Sequence, residues 1–161
     1  LEEARARVAH WPLPEEDFEA IAAGLQQAYR RGRKAMTAAR RDPSAESLHR
    51  WRRRAKDHWY HARLIRGCWP RVMDARRAEA HRLTELLGRE HDLGLLQAVL
   101  ESDPGIAEAD ADVAALSTAV AGHRARTRTA AMALGARLYA EPPARLRRRL
   151  GHYWRTWRAA D

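Results

Sequence analysis

Four breaks marked by proline or glycine set the architecture open to this sequence. Asp42-Pro43-Ser44, Gly67 with Trp69-Pro70, Asp103-Pro104-Gly105 and Glu141-Pro142-Pro143 each halt a regular pattern. Proline lacks the N–H that a helix interior needs, and glycine tolerates chain reversals. Between the breaks, apolar residues recur every three or four positions, the period of a helix face. No run alternates Val, Ile, Thr and Tyr, so no strand is expected. The fold class is therefore all-α, an antiparallel bundle of about five helices.

The first helix is expected after Pro14, with Glu15, Glu16 and Asp17 at the positive end of its dipole. Its stripe is Phe18, Ile21, Leu25, Ala28, Tyr29, Gly32 and Met36. Ser44 or Ser47 caps the second, which runs to about Arg66 with Gly67 at its C′ position. The third spans Val72 to Leu87, is interrupted by Gly88, and resumes through Leu95 and Leu96 to Glu101. In that reading Asp92 starts the resumed segment. The fourth covers 106–138, and the fifth carries Leu146, Leu150, Tyr153 and Trp157 on one face. Residues 1–14, with His10-Trp11-Pro12-Leu13-Pro14, read as a linker or the remnant of a preceding half, and 15–161 as the bundle.

Charge then narrows the function. The net charge is +9 and the pI is about 10.8, which favours a polyanionic partner. From Ala28 to Arg71 there are fourteen Lys or Arg against three acids; from Thr84 to Ala121, eight acids face Arg89 alone. The positive charge is gathered, and its densest segment is His49 to Arg63. Wound as a helix, it places Leu48, Trp51, Ala55, Trp59 and Ala62 on one face. Beside them lie His49, Arg52, Arg53, Lys56, Tyr60 and Arg63. A solvated helix normally interleaves carboxylates among its cations, and here Asp57 stands alone in that role. Arg30 and Arg33 hold the same position relative to the first helix's stripe, so the two helices are expected to share one basic groove. Side-chain donors on rigid helices suit a repeating phosphate chain. A single nucleotide would call for a glycine-rich nest, and no P-loop or GxGxxG is present.

Other chemistry is poorly supported by the residues. Cys68 is the lone cysteine, which excludes an internal disulfide and a cysteine-based zinc site and suggests a reducing compartment. His58 and His61 at i,i+3 could share a metal but lack an evident third ligand, so no metal or cofactor is expected. There is no HExxH, CxxC or GxSxG. Glu90-His91-Asp92 leaves open a metal-dependent enzyme of phosphate metabolism, although consecutive helical residues do not converge. Trp51, Trp59, Trp69, Trp154 and Trp157 fall mostly on apolar stripes and read as packing, Trp154 being a partial exception for base stacking. No apolar run reaches the ~20 residues of a membrane span.

The spacing H-x-x-R-x-x-x-K-x-x-x-Y (His49, Arg52, Lys56, Tyr60), then L-G-x-x-H-D-L (Leu87, Gly88, His91, Asp92, Leu93), resembles the CHAD domain, the conserved histidine α-helical domain. Tyr29 to Arg33, Leu138 to Pro142 and Tyr153-Trp154 are similar to other parts of that family, and the resemblance spans about 15–158. It implies a non-enzymatic helical module that binds inorganic polyphosphate in a basic groove or pore. His49, Arg52, Arg53, Lys56 and Tyr60 would form the first rank, Arg30, Arg33 and Arg63 would extend it, and His91 and Arg137 would add contacts. The family's module is pseudo-symmetric, with two related bundles, and this chain resembles the second. The resemblance therefore also implies a missing N-terminal half or a second copy as partner. It further implies a triphosphate tunnel metalloenzyme as fusion or partner, and a bacterial, cytoplasmic setting near polyphosphate granules. The rival reading is an RNA- or DNA-binding helical domain that contacts the phosphate backbone.

Overall fold

A computed structural model describes residues 17–102 and 111–160, with residues 3 and 7. Among them are five α-helices and no strand. They are α1 (Glu19–Arg41), α2 (Ala45–Leu64), α3 (Pro70–Ser102), α4 (Ala111–Leu138) and α5 (Pro143–Arg158), with a 3-10 turn at Arg66–Cys68. Helix α1 packs on α2, α2 on α3, α3 on α4, and α5 returns to cover α1. None of these helices is long and apolar enough to cross a membrane.

The core follows the expected stripes. Phe18, Leu25, Tyr29 and Met36 of the first stripe are buried with Leu48, Trp51 and Ala55 of α2, Met73, Leu83 and Leu87 of α3, and Leu146 and Leu150 of α5. A fully buried leucine such as Leu83 contributes about 1.5–3 kcal/mol over its exposed state. Glycine lets two layers approach: at Gly135 a Cβ would run into the Trp51 ring, so α4 presses its bare backbone on that indole.

Several boundaries depart from the sequence expectation. Helix α1 starts at Glu19, with Phe18 in the cap position. Gly67 is not a left-handed C′ residue, since no glycine has positive φ among the described residues. Instead α2 ends at Leu64, a 3-10 turn carries the chain round, and Pro70 opens α3 as its first residue, where a missing N–H costs nothing. Gly88 does not interrupt α3, which is one helix of 33 residues with Asp92 in its interior. Glycine disfavours a helix interior by only about 1 kcal/mol, and tertiary packing outweighs that. Glu3 and Arg7 are helical. The rest of 1–14, Glu15, Glu16, the turn at Asp103-Pro104-Gly105 and the 106–110 start of the fourth helix lie outside the described residues.

Candidate functional site

Helix α2 places its charges on two sides. Ser44 caps it by accepting from the Ser47 amide. Its two acids both serve cations on the α1 side: Glu46 pairs with Arg50, and Asp57 with Arg54 at 3.0 Å. Arg50 and Arg54 line a recess there with Arg31 and Lys34. The side towards α3 is left without carboxylates of its own helix. There His49, Arg52, Arg53 and Lys56 line a groove of about 420 Å³ with Trp59 of α2 and with His81, Thr84 and Glu85 of α3. Arg52, Arg53 and Lys56 make no ion pair among the described residues. Glu85, the one acid in the lining, leans on His81 at 3.6 Å.

Position in the groove is set by α3. The Arg52 guanidinium lies against the bare backbone at Gly88, where an added Cβ would stand 3.1 Å from Nη2 and 3.3 Å from Cζ. The His91 ring, one turn on, comes 6.1 Å from that of His49. Tyr60 is half-exposed and its ring lies 4.7 Å from Trp59, extending the groove's end as an aromatic step. Trp59 also meets His81 at 4.9 Å.

The expected residues thus separate into groups. His49, Arg52, Arg53 and Lys56 share one groove, His91 stands beside His49, and Tyr60 follows through Trp59. Arg63 is exposed one turn further along α2 and does not line the groove. Arg30 and Arg33 do not join it. They line a different recess of about 560 Å³ with Lys34, Thr37 and Arg41, against Pro143 of α5. The single two-helix groove expected from the sequence is therefore divided, because Arg50 and Arg54 occupy the α1-facing side of α2. Arg137 sits elsewhere again, at the end of α4 with Arg76, Arg82 and Arg149. Trp154 packs edge-on against Trp157 at 5.3 Å and beside Phe18, so it takes part in the α1–α5 contact. Trp59, His81 and Thr84 were missed; the i,i+3 pair on α3 was the available signal.

Two clusters hold the frame. Glu90 is 1 % exposed and its Oε1 accepts from Arg124 Nε at 2.9 Å and Arg128 Nη2 at 2.7 Å, tying α3 to α4. Its carboxylate is thereby engaged in an ion triad. The second cluster is a buried polar knot. Tyr29 donates to the carbonyls of Leu138 and Glu141 at 3.2 and 2.9 Å, and Arg76 donates to His58 Nε2 at 3.0 Å and the Leu138 carbonyl at 3.2 Å. His58 is buried, and burial first, then the Arg76 charge, holds its pKa well below the usual imidazole range. It is neutral, with Nε2 as acceptor and the proton on Nδ1. The Nε2 of His58 is thus occupied by the Arg76 guanidinium. No cluster of three His, Cys, Asp or Glu with metal spacing occurs among the described residues.

A family model for the CHAD domain matches residues 1–101, which carry α1, α2, α3 and the groove between the last two. The chain belongs to the CHAD domain family. The match stops one residue short of the end of α3. The resemblances of Leu138 to Pro142 and of Tyr153-Trp154 therefore lie outside the matched span, as does Arg137. Within the CHAD-matched span, Tyr29 is a buried anchor, Gly88 admits Arg52, and His49, Arg52 and Lys56 face the groove. No curated protein and no solved structure matches the chain.

Proposed function

We propose that this CHAD domain binds inorganic polyphosphate along the groove between α2 and α3, without breaking it. The observation that carries this reading is the one-sided charge of α2: both its acids pair with Arg50 and Arg54, while Arg52, Arg53 and Lys56, in one groove with His49, have no ion pair among the described residues. Arginine offers flat, paired donors to phosphate oxygens, and lysine a point charge. Helical spacing repeats the donors along the axis, which suits a repeating ligand. Tyr60 adds a hydroxyl donor at the groove's end, and His91 a ring nitrogen beside His49. Glu90 is engaged by two arginines, which argues against its use as a metal ligand or base. Partners that complete the module are a second bundle, from an N-terminal half or another copy, and a triphosphate tunnel metalloenzyme; the setting is cytoplasmic.

The test is an Arg52→Ala/Lys56→Ala double variant titrated with long-chain polyphosphate over a salt series. Each phosphate neutralised releases counterions, so affinity falls with salt in proportion to the contacts made. The variant should bind more weakly and with a flatter salt dependence. Unchanged affinity and slope would remove the groove from the site. Magnesium-dependent phosphate release that disappears in His91→Ala would replace binding with hydrolysis.

The groove's aromatic step favours one second reading. A nucleic acid could lay its phosphates on Arg52 and Lys56 and a base on Tyr60. Competition between the two polyanions separates these readings.

A further inference from the structure

On the other side of α3, about 160° around its axis from His81 and Thr84, lies a recess of about 440 Å³. It is formed where the first turns of α3 meet the end of α4 and the middle of α5. Leu134 and Leu138 give it an apolar wall, and four guanidiniums converge on it: Arg76, Arg82, Arg137 and Arg149. The α2–α3 groove differs in that its charge is spread along one helix.

The charge balance of the recess is specific. Arg149 is engaged by Glu141, which accepts from its Nη2 at 2.7 Å and from its Nε at 3.3 Å. Arg76, Arg82 and Arg137 make no ion pair among the described residues, and Glu79 is the one carboxylate in the lining. Three unpaired guanidiniums against one carboxylate leave an excess of two positive charges. Arg76 is also fixed in direction. Its Nε is bound by His58 and its Nη2 by the Leu138 carbonyl, both neutral acceptors, and it lies over the Tyr29 ring at 5.7 Å. Hydrogen bonds thus hold its geometry without cancelling its charge. Arg76 is largely withdrawn from water, and Glu141, the carboxylate that acts on its charge, is already held by Arg149, so an arriving anion offsets the cost of its burial.

We propose that this recess is a second binding site, for a small organic phosphomonoester whose apolar or planar body rests on Leu134 and Leu138 while its phosphate meets Arg76, Arg82 and Arg137. A dianionic phosphate matches the excess of two charges; a carboxylate would leave one unanswered. The apolar wall distinguishes the site from one for bare phosphate or polyphosphate. It lies on a face separate from the polyphosphate groove and does not depend on that assignment.

The experiment is calorimetric titration of the whole chain with phenyl phosphate and, in parallel, inorganic phosphate. Phenyl phosphate should bind about tenfold or more tighter, the return expected for removing one aromatic ring from water. An Arg82→Ala/Arg137→Ala variant should lose phenyl phosphate affinity by about tenfold or more, since each charged hydrogen bond is worth more than a neutral one. Both side chains are exposed, so its melting temperature and its polyphosphate affinity should stay at wild-type values. An Arg82→Gln/Arg137→Gln variant serves if the alanine pair unfolds. Equal affinity for the two probes would overturn the site. So would wild-type affinity in the folded double variant, or loss of phenyl phosphate binding in Arg52→Ala/Lys56→Ala.

Discussion

The Arg52 guanidinium crosses α3 at Gly88, with Nη2 3.1 Å and Cζ 3.3 Å from where a Cβ would stand. The contact joins the two halves of the family motif: the arginine from the basic face of α2 and the glycine from the Leu87-Gly88 to Leu93 segment of α3. A methyl group there displaces the end of a flexible side chain and leaves the backbone alone. Gly88→Ala should therefore keep or raise the melting temperature, since alanine gains up to about 1 kcal/mol of helix propensity. It should weaken polyphosphate binding several-fold, in the direction that Arg52→Ala does. Calorimetry and thermal denaturation on the same sample check both halves. A variant with unchanged affinity would show that Arg52 does not need that position.

Gly135 should behave in the opposite sense. A Cβ there meets the ring of Trp51, which is fully buried and cannot swing away. Gly135→Ala should destabilise the fold by about 1–3 kcal/mol through overpacking, read as a lower denaturant midpoint.

Glu90 carries a structural prediction. Glu90→Gln keeps the shape and removes the charge that Arg124 and Arg128 share. Breaking one member of a buried ion pair costs about 3–5 kcal/mol when both partners are buried. Here the arginines are 23 % and 28 % exposed and can turn to water, so the loss should be about half of that. Chemical denaturation measures it, and polyphosphate affinity of the folded fraction should not change.

Stability should fall in acid through His58. Its pKa is depressed in the fold by burial and by Arg76, so between that value and the ordinary imidazole range the unfolded chain binds the extra proton. The stabilisation is complete above about pH 6.5 and is lost as pH falls towards the folded pKa. His58→Gln can still accept from Arg76 and does not titrate. It should flatten this part of the melting temperature against pH, with differential scanning calorimetry as the readout.

The helices were legible because their apolar stripes repeat at helical spacing: Leu25, Tyr29 and Met36 are buried as Leu48, Trp51 and Ala55 are. Gly88 misled because a glycine that stops a helix and one that admits a crossing side chain look the same in one dimension. Gly67 misled for a related reason, since its turn is completed by Pro70 starting a new helix. At the site, the α2 face was legible, as its members share one helix. The separation of Arg30 and Arg33 was not, because it depends on which side of α2 its two acids neutralise. Arg76 left no local signal: its partners His58 and Leu138 come from separate helices and meet it only in the folded chain.

The most direct measurement is a titration of the chain with long-chain polyphosphate at near-physiological salt, repeated in the presence of a charge-matched single-stranded oligonucleotide. Tight polyphosphate binding that the oligonucleotide barely competes is the predicted result. Equal displacement by the oligonucleotide would contradict the account, and would mean that the unpaired charge of Arg52, Arg53 and Lys56 is generic to polyanions.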